Sequence, residues 1–307
     1  MGTIRNITPK SESKFSLKKK LSIAAALAAI AAATYFFYTP TGHRSVYGNK
    51  VSEYITTEAG RKAEVAWLVK KGFNAYVGYG VREYLVSNPA WVQDFVLKCR
   101  RAGIRDVGFV YGSESSVLNE LDKYQKRCTN DSTKFSFVVS EIEQYQSDGN
   151  RPKFYTTLRV VSAWGLQNKV KRYVYQGWPN QADCDSIVKY SDRVYLHAYG
   201  KYHTSTDVGA WIYGYTKGRT AMFADSKKRM RGESGEDYNT TIIYSCENPD
   251  PTKTQFGAKY FLTKSVGELN GSFDTYYKLH APASTKDNIQ IGGWVLFVED
   301  QFKKIQP

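Results

Sequence analysis

The sequence predicts an α/β chain folded as a closed (β/α)8 TIM barrel, preceded by an N-terminal transmembrane or signal-anchor helix. Eight short apolar runs of strand character alternate with seven helical patterns. These steps occupy about 260 residues, the usual size of such a barrel. No Pro-, Gly- or Ser-rich linker divides them. An open doubly wound sheet is the competing arrangement, but its glycine-rich phosphate loop is missing after the first strand.

Residues 1–20 form a basic tail in which Arg5, Lys10, Lys14 and Lys18 to Lys20 face only Glu12. The tail holds +5 of the formal net charge of +14, leaving +9 for the rest. Residues 21–38, LSIAAALAAIAAATYFFY, hold no charge and are long enough to cross a hydrocarbon core of about 30 Å. The small residues around Ala31 to Ala33 suit a cleavage site, but cutting there leaves Tyr35, Phe36, Phe37 and Tyr38 as an exposed apolar start. An aromatic cluster at that end suits an interfacial belt, which favours an uncleaved anchor over a signal peptide. The basic flank then puts the N-terminus in the cytoplasm and the barrel domain, residues 39–307, outside it; cleavage gives a secreted protein.

Within the barrel domain, strands are predicted over 44–47, 75–79, 106–111, 135–143, 171–176, 193–199, 241–246 and 289–298. Helical patterns fall over 57–71, 89–102, 115–126, 153–166, 181–190, 209–231 and 256–279. Pro89 suits a first helical turn, where its missing N–H costs nothing. Gly72 and Gly103 suit helix exits.

Composition excludes some roles. The basic residues are scattered and no zinc-finger or RNA-binding signature is present, so nucleic acid is not an expected partner. Cys99, Cys128, Cys184 and Cys246 are too widely spaced for a metal ribbon or a disulfide scaffold, and no metal or cofactor is expected. Cys99 and Cys128, near the ends of adjacent predicted helices, are a candidate pair in an exported protein; buried free thiols are the alternative.

The most informative segment is FSFVVSEIEQY, Phe135 to Tyr145. Strand alternation puts Phe135, Phe137, Val139, Glu141 and Glu143 on one face. Acidic side chains are poor strand formers and costly to bury, so an apolar strand ending in two of them points to a site. In a barrel the chemistry stands at the carboxyl ends of the strands. There the sequence offers Tyr79, Tyr111, Glu141, Glu143, Trp178, His197, Tyr199, Glu247, Trp294 and Phe297. Aromatics make up 15% of the chain, so any one of them is core before it is platform, and the collection is the signal. Aromatic faces beside carboxylates suit sugar rings and glycosidic bond cleavage.

The arrangement resembles the family 18 glycoside hydrolases, the chitinases and endo-β-N-acetylglucosaminidases, which carry a D-x-x-D-x-D-x-E motif at the end of the fourth strand. FSFVVSEIE is the fourth strand here. Glu143 falls on that family's general acid and Glu141 on the aspartate that orients the substrate acetamide, while Ser136 and Val139 stand where the earlier aspartates belong. VYLHAYG places Tyr199 at the tyrosine of the family's sixth strand, and IGGWVLFVED has Gly292 and Gly293 before Trp294 or Phe297, the aromatic floor. The resemblance implies substrate-assisted cleavage of N-acetylated glycans. Glu143 is then the acid, Glu141 its partner, Tyr199 a donor to the acetamide, and His197 a member of the network or a satisfied core histidine.

Two alternatives remain open. A retaining glycosidase would pair Glu143 with Glu247 at the end of the seventh strand, although Glu247 opens a polar ENPDP turn. A barrel that binds carbohydrate or cell-wall polymer without cleaving it would also lack half of the acidic motif.

Overall fold

The computed structural model describes residues 42–111, 115–144, 149–198, 208–234, 241–246, 268 and 275–297. Residues 21–38 lie outside these, and among the described residues no helix is long and apolar enough to cross a membrane.

Eight parallel strands close into a barrel in chain order, each pairing with the next and the last with the first. They are β1 (His43–Gly48), β2 (Ala75–Gly78), β3 (Asp106–Tyr111), β4 (Phe137–Ser140), β5 (Lys171–Gln176), β6 (Arg193–His197), β7 (Thr241–Cys246) and β8 (Gln290–Leu296). Helices cross between them: α1 (Val51–Ile55), α2 (Glu58–Lys70), α3 (Arg82–Ser87), α4 (Pro89–Arg101), α5 (Ser115–Arg127), α6 (Asn150–Asn168), α7 (Gln181–Tyr190), α8 (Val208–Ser234) and α9 (Ala283–Lys286). The short α1, α3 and α9 are additional to the sequence expectation, and most of the predicted helix over 256–279 lies outside the described residues.

Local chemistry sets the helix ends. The Thr57 hydroxyl accepts from the Gly60 N–H at 3.0 Å ahead of α2. Asn180 and Asp183 form a reciprocal capping box at the start of α7. Gly72, at φ +72°, takes the chain out of α2 through the left-handed region, where a side chain is strained.

Side chains alternate between two layers. Tyr47, Val77, Phe137, Val139, Tyr173, Tyr175, Tyr195 and Val295 pack inside the barrel. Their strand neighbours, among them Val46, Tyr76, Val107, Phe109, Val138, Val174 and Leu196, pack outward with the helices in the larger cluster. The interior is rich in tyrosine and histidine, where branched aliphatics are usual. At its amino-terminal end the Tyr195 hydroxyl lies 3.0 Å from His43 Nε2, and His43 Nδ1 lies 3.7 Å from the half-exposed Asp106 carboxylate. Burial lowers the His43 pKa to about 4, aided by the charge of Arg193 and opposed by Asp106, so its imidazole is neutral.

At Gly293 the seam between β8 and β1 leaves no room for a side chain. There φ is +136° and a Cβ would fall 2.0 Å from the His43 carbonyl oxygen. Gly293 thus serves barrel closure, while the space beside Gly292 is taken by the Thr241 side chain of β7.

Cys99, Cys128 and Cys184 are buried free thiols, which removes the Cys99–Cys128 pairing. Cys128 instead accepts from Gln93 Nε2 at 3.5 Å and donates to the Thr133 carbonyl at 3.7 Å.

Candidate functional site

The inward face of the strands leads to the carboxyl-terminal mouth. On β1 it carries His43, Ser45 and finally Tyr47, buried with 2% of its surface exposed. Tyr47 packs against Tyr175 of β5 and against Phe297, which follows β8, at ring-centroid distances of 5.7 and 4.9 Å. Tyr175 in turn stands 5.5 Å from Phe297 and 4.1 Å from the His197 ring of β6. Tyr79, one residue past β2 on the inward register, is half-exposed at the rim.

Glu141 follows the last residue of β4 in the same register as Phe137 and Val139. Strand pairing stops at Ser140, three residues before the predicted end, because acidic residues do not extend the ladder. The segment is then pinned from its other side. Gln144 Nε2 donates to Gln176 Oε1 at 2.8 Å, Gln176 Nε2 to the Ile142 carbonyl at 3.3 Å, and Asn150 Nδ2 to the Glu143 carbonyl at 3.4 Å. Ile142 and Gln144 are thereby buried, and Glu141 and Glu143 alternate with them half-buried.

The Tyr47 hydroxyl is buried without a hydrogen-bond partner among the described residues. Burial raises its pKa well above the usual value, and the negative charge of Glu141 adds to this, followed by the neighbouring tyrosines. It is therefore a neutral phenol with a free donor and free lone pairs. On the opposite wall burial lowers His197 to about 3, with the charge of Arg219 adding to the effect, so this imidazole is also neutral. Arg219 reaches in from α8, donates to the Gly177 and Tyr215 carbonyls, and stacks 4.8 Å above Trp178. The mouth thus has a negative side at Glu141 and a positive side at Arg219.

Not every predicted site residue belongs there. Tyr111 lies opposite Ser140 and packs outward with Phe109, since the inward residues of β3 are Gly108 and Val110. Trp294, 1% exposed, also packs outward, because Val295 and then Phe297 take the inward positions. Neither lines the mouth, and Trp294 is no floor. Trp178 stands on the flank, 55% exposed. Tyr199 and Glu247 lie outside the described residues. The sequence reading missed Tyr47, Tyr175, Gln144, Gln176 and Arg219. The alternation His43, Ser45, Tyr47 was the available signal, a row of polar groups on one face of a barrel strand. Among the described residues no cluster of three or more His, Cys, Asp or Glu side chains could hold a metal.

No family model and no curated protein matches the sequence. Solved structures that align with it include 3-keto-D-glucoside 4-epimerase from E. coli, at 11% identity over 84% of this chain and 91% of that one, with a TM-score of 0.46. The L-Ala-D/L-Glu epimerase of Bacillus subtilis aligns at 9% identity over 88% and 57%, TM-score 0.43. Dihydrodipicolinate synthase from Agrobacterium tumefaciens aligns at 10% over 84% and 70%, TM-score 0.39. Likeness at this level carries no argument about activity. The resemblance to family 18 glycoside hydrolases expected from sequence is corrected: no family model matches it, and none of the structures named above is a glycoside hydrolase by its name. Two of the aromatics assigned to a sugar platform also face away from the mouth. The assignment as a glycosidase, or as a carbohydrate-binding relative of one, is withdrawn.

Proposed function

We propose that the chain is a small-molecule-binding barrel whose site is the carboxyl-terminal mouth, walled by Tyr47, Tyr79, Tyr175, His197 and Phe297, with Glu141 and Arg219 as charged groups on its two sides. The buried Tyr47 hydroxyl carries this reading. A buried polar group left unpaired costs about 1–3 kcal/mol, and such groups in folded proteins call for an explanation. A ligand that pairs with it supplies one, at the end of the barrel where such sites lie.

The test is Tyr47→Phe. If the hydroxyl serves a ligand, its removal leaves the stability of the free protein unchanged or raises it by about 1 kcal/mol. The same change weakens small fragments that shift the ring resonances of Tyr79 and Phe297. A loss of stability beyond about 1 kcal/mol, or a fragment set that leaves those rings untouched, sinks the proposal.

For residues 21–38 the reading is a membrane span with the barrel outside the cytoplasm, supported by a charge-free stretch behind a basic flank. The full chain should resist alkaline extraction from membranes, and Ala26→Lys with Ala29→Lys should release it. Extraction of the unaltered chain would overturn this placement.

A further inference from the structure

We infer that the amino-terminal end of the barrel, opposite the mouth, is a docking surface for a membrane leaflet that carries anionic headgroups. The segments leading from each helix into the next strand, 70–75, 100–106, 126–137, 168–171, 189–193 and 286–290, hold thirteen Lys and Arg against four Asp. Residues 235–240, ahead of β7 and outside the described residues, add Glu236 and Asp237. The segments that leave the strands at the mouth are different. Over 49–57, 79–88, 141–144 and 177–180 they hold Lys50 and Arg82 against Glu53, Glu83, Glu141 and Glu143. Among the described residues the positive charge of the barrel domain thus gathers at one end.

Backbone hydrogen bonds join these segments into one face. The Arg105 N–H donates to the Asn74 carbonyl at 2.9 Å, the Lys171 N–H to the Ser136 carbonyl at 2.9 Å, and the Asp192 N–H to the Arg172 carbonyl at 2.7 Å. Arg101, Arg105, Arg127, Lys169 and Lys171 are exposed on it. Asp131 pairs with Lys134 and Asp192 with Arg172, and both carboxylates are in the count, so the excess does not require any cation to lack a partner. Cations in the last turn of a helix complement the carbonyls there, which accounts for Lys70, Arg101 and Arg127. That reason does not reach Arg105, Lys134, Lys171 and Arg193, which stand beyond the helices.

The entry point of the chain says what covers this face. β1 begins at His43, at the same end of the barrel. Four uncharged residues, Thr39 to Gly42, separate it from the end of the proposed membrane span at Tyr38, a reach of at most about 18 Å. This step rests on the proposed span, whereas the charge count does not. Headgroup attraction for Lys and Arg fades within a Debye length of about 8–10 Å, and a short uncharged tether keeps the basic face near that range. An amino-terminal end held on lipid leaves the mouth turned to water.

The test reconstitutes the full chain in vesicles of phosphatidylcholine alone or with about one third phosphatidylglycerol. Lysines are acetylated with a water-soluble reagent and followed by mass spectrometry. Lys169 and Lys171 should react at least about fivefold more slowly in the anionic vesicles and lose that protection in about 0.5 M salt. Lys153, exposed near the start of α6 at the mouth end, should react alike in both. Arg101→Glu with Arg127→Glu should bring the rates back to within about twofold of those in phosphatidylcholine. Arg159→Glu with Lys217→Glu, the same change of net charge on exposed positions of α6 and α8, should leave the protection in place. If charge reversal prevents folding, Arg101→Gln with Arg127→Gln should remove part of the protection.

Lys169 and Lys171 as reactive as Lys153 in anionic vesicles, in a chain that resists alkaline extraction, overturn the inference and leave the span standing. Extraction of the chain by alkali overturns the span and the inference with it. Protection by polyglutamate in phosphatidylcholine vesicles, equal to that from phosphatidylglycerol, would assign the face to an acidic polymer and overturn the assignment to lipid.

Discussion

Acid should unfold this protein in a window set by two histidines. His43 and His197 are both buried and neutral, with pKa lowered from 6.5 to about 4 and about 3, chiefly by burial. Between pH 6.5 and those values the unfolded chain binds protons that the folded chain refuses, so stability falls as pH falls. Each pH unit in the window costs about 1.4 kcal/mol per histidine, so lowering the pH to 4.5 removes about 2.7 kcal/mol for each and about 5 for the pair. A native domain has only about 5–15 kcal/mol to lose. Asp106 and Asp192 act elsewhere. For both, burial pushes the pKa up, but hydrogen bonds and nearby cations outweigh it and hold the carboxyl below its ordinary value. Their contribution is present above the unfolded pKa of about 3.9 and is lost only as the pH falls through their folded pKa. Urea unfolding followed by tryptophan fluorescence at pH 7.5, 6.5, 5.5 and 4.5 measures the slope. His43→Gln keeps a partner for the Tyr195 hydroxyl and should remove about half of the loss, as should His197→Gln. A stability that stays flat from pH 7.5 to 5 would show that both imidazoles exchange protons freely in the folded state, and the reasoning would fail.

Three further outcomes follow from packing. Gly293→Ala should destabilise by about 3 kcal/mol or more, because the added methyl meets the His43 backbone at a φ unsuited to it; thermal unfolding measures it, and a change under about 1 kcal/mol would refute the seam geometry. Trp294→Ala should cost about 3–5 kcal/mol in urea unfolding while leaving unchanged the response of the Tyr79 and Phe297 rings to bound fragments, since the ring fills the helix-side layer; a variant of normal stability with lost binding would return Trp294 to the mouth. Arg172 makes a forked pair with Asp192, Nε and Nη2 each within 2.8 Å of a carboxylate oxygen, between β5 and the approach to β6. Arg172→Ala should cost about 2–3 kcal/mol, and a loss within about 0.5 kcal/mol would mark the pair as idle.

The barrel was legible because its strands and helices differ in period and because Pro89, Gly72 and Gly103 mark helix ends. Which face of each strand points inward was harder to read. Both faces of a parallel barrel strand are buried, so Tyr111 in DVGFVY and Trp294 in QIGGWVL look the same whichever way they turn. Register alone decides, and a register shift opposite β8, between Ile242 and Ile243, is invisible in sequence. Glu141 stood out because a charge at the end of an apolar run is conspicuous. Tyr47 did not, because a tyrosine among tyrosines carries no local mark; only the fold shows that its hydroxyl lacks a partner among the described residues. The glycosidase resemblance rested on the order of residue types along strands, which says nothing about facing.

The seam between β8 and β1 also governs when the barrel can form. His43 and Gly293 pair although about 250 residues separate them, among the most distant contacts a chain of this length can make, and such contacts slow folding. During synthesis β1 emerges first and waits with one edge bare until β8 leaves the ribosome. A bare parallel edge is a template for other chains. The nascent protein therefore needs shelter for nearly its whole translation time, and a product truncated shortly before Gln290 should aggregate as an open sheet.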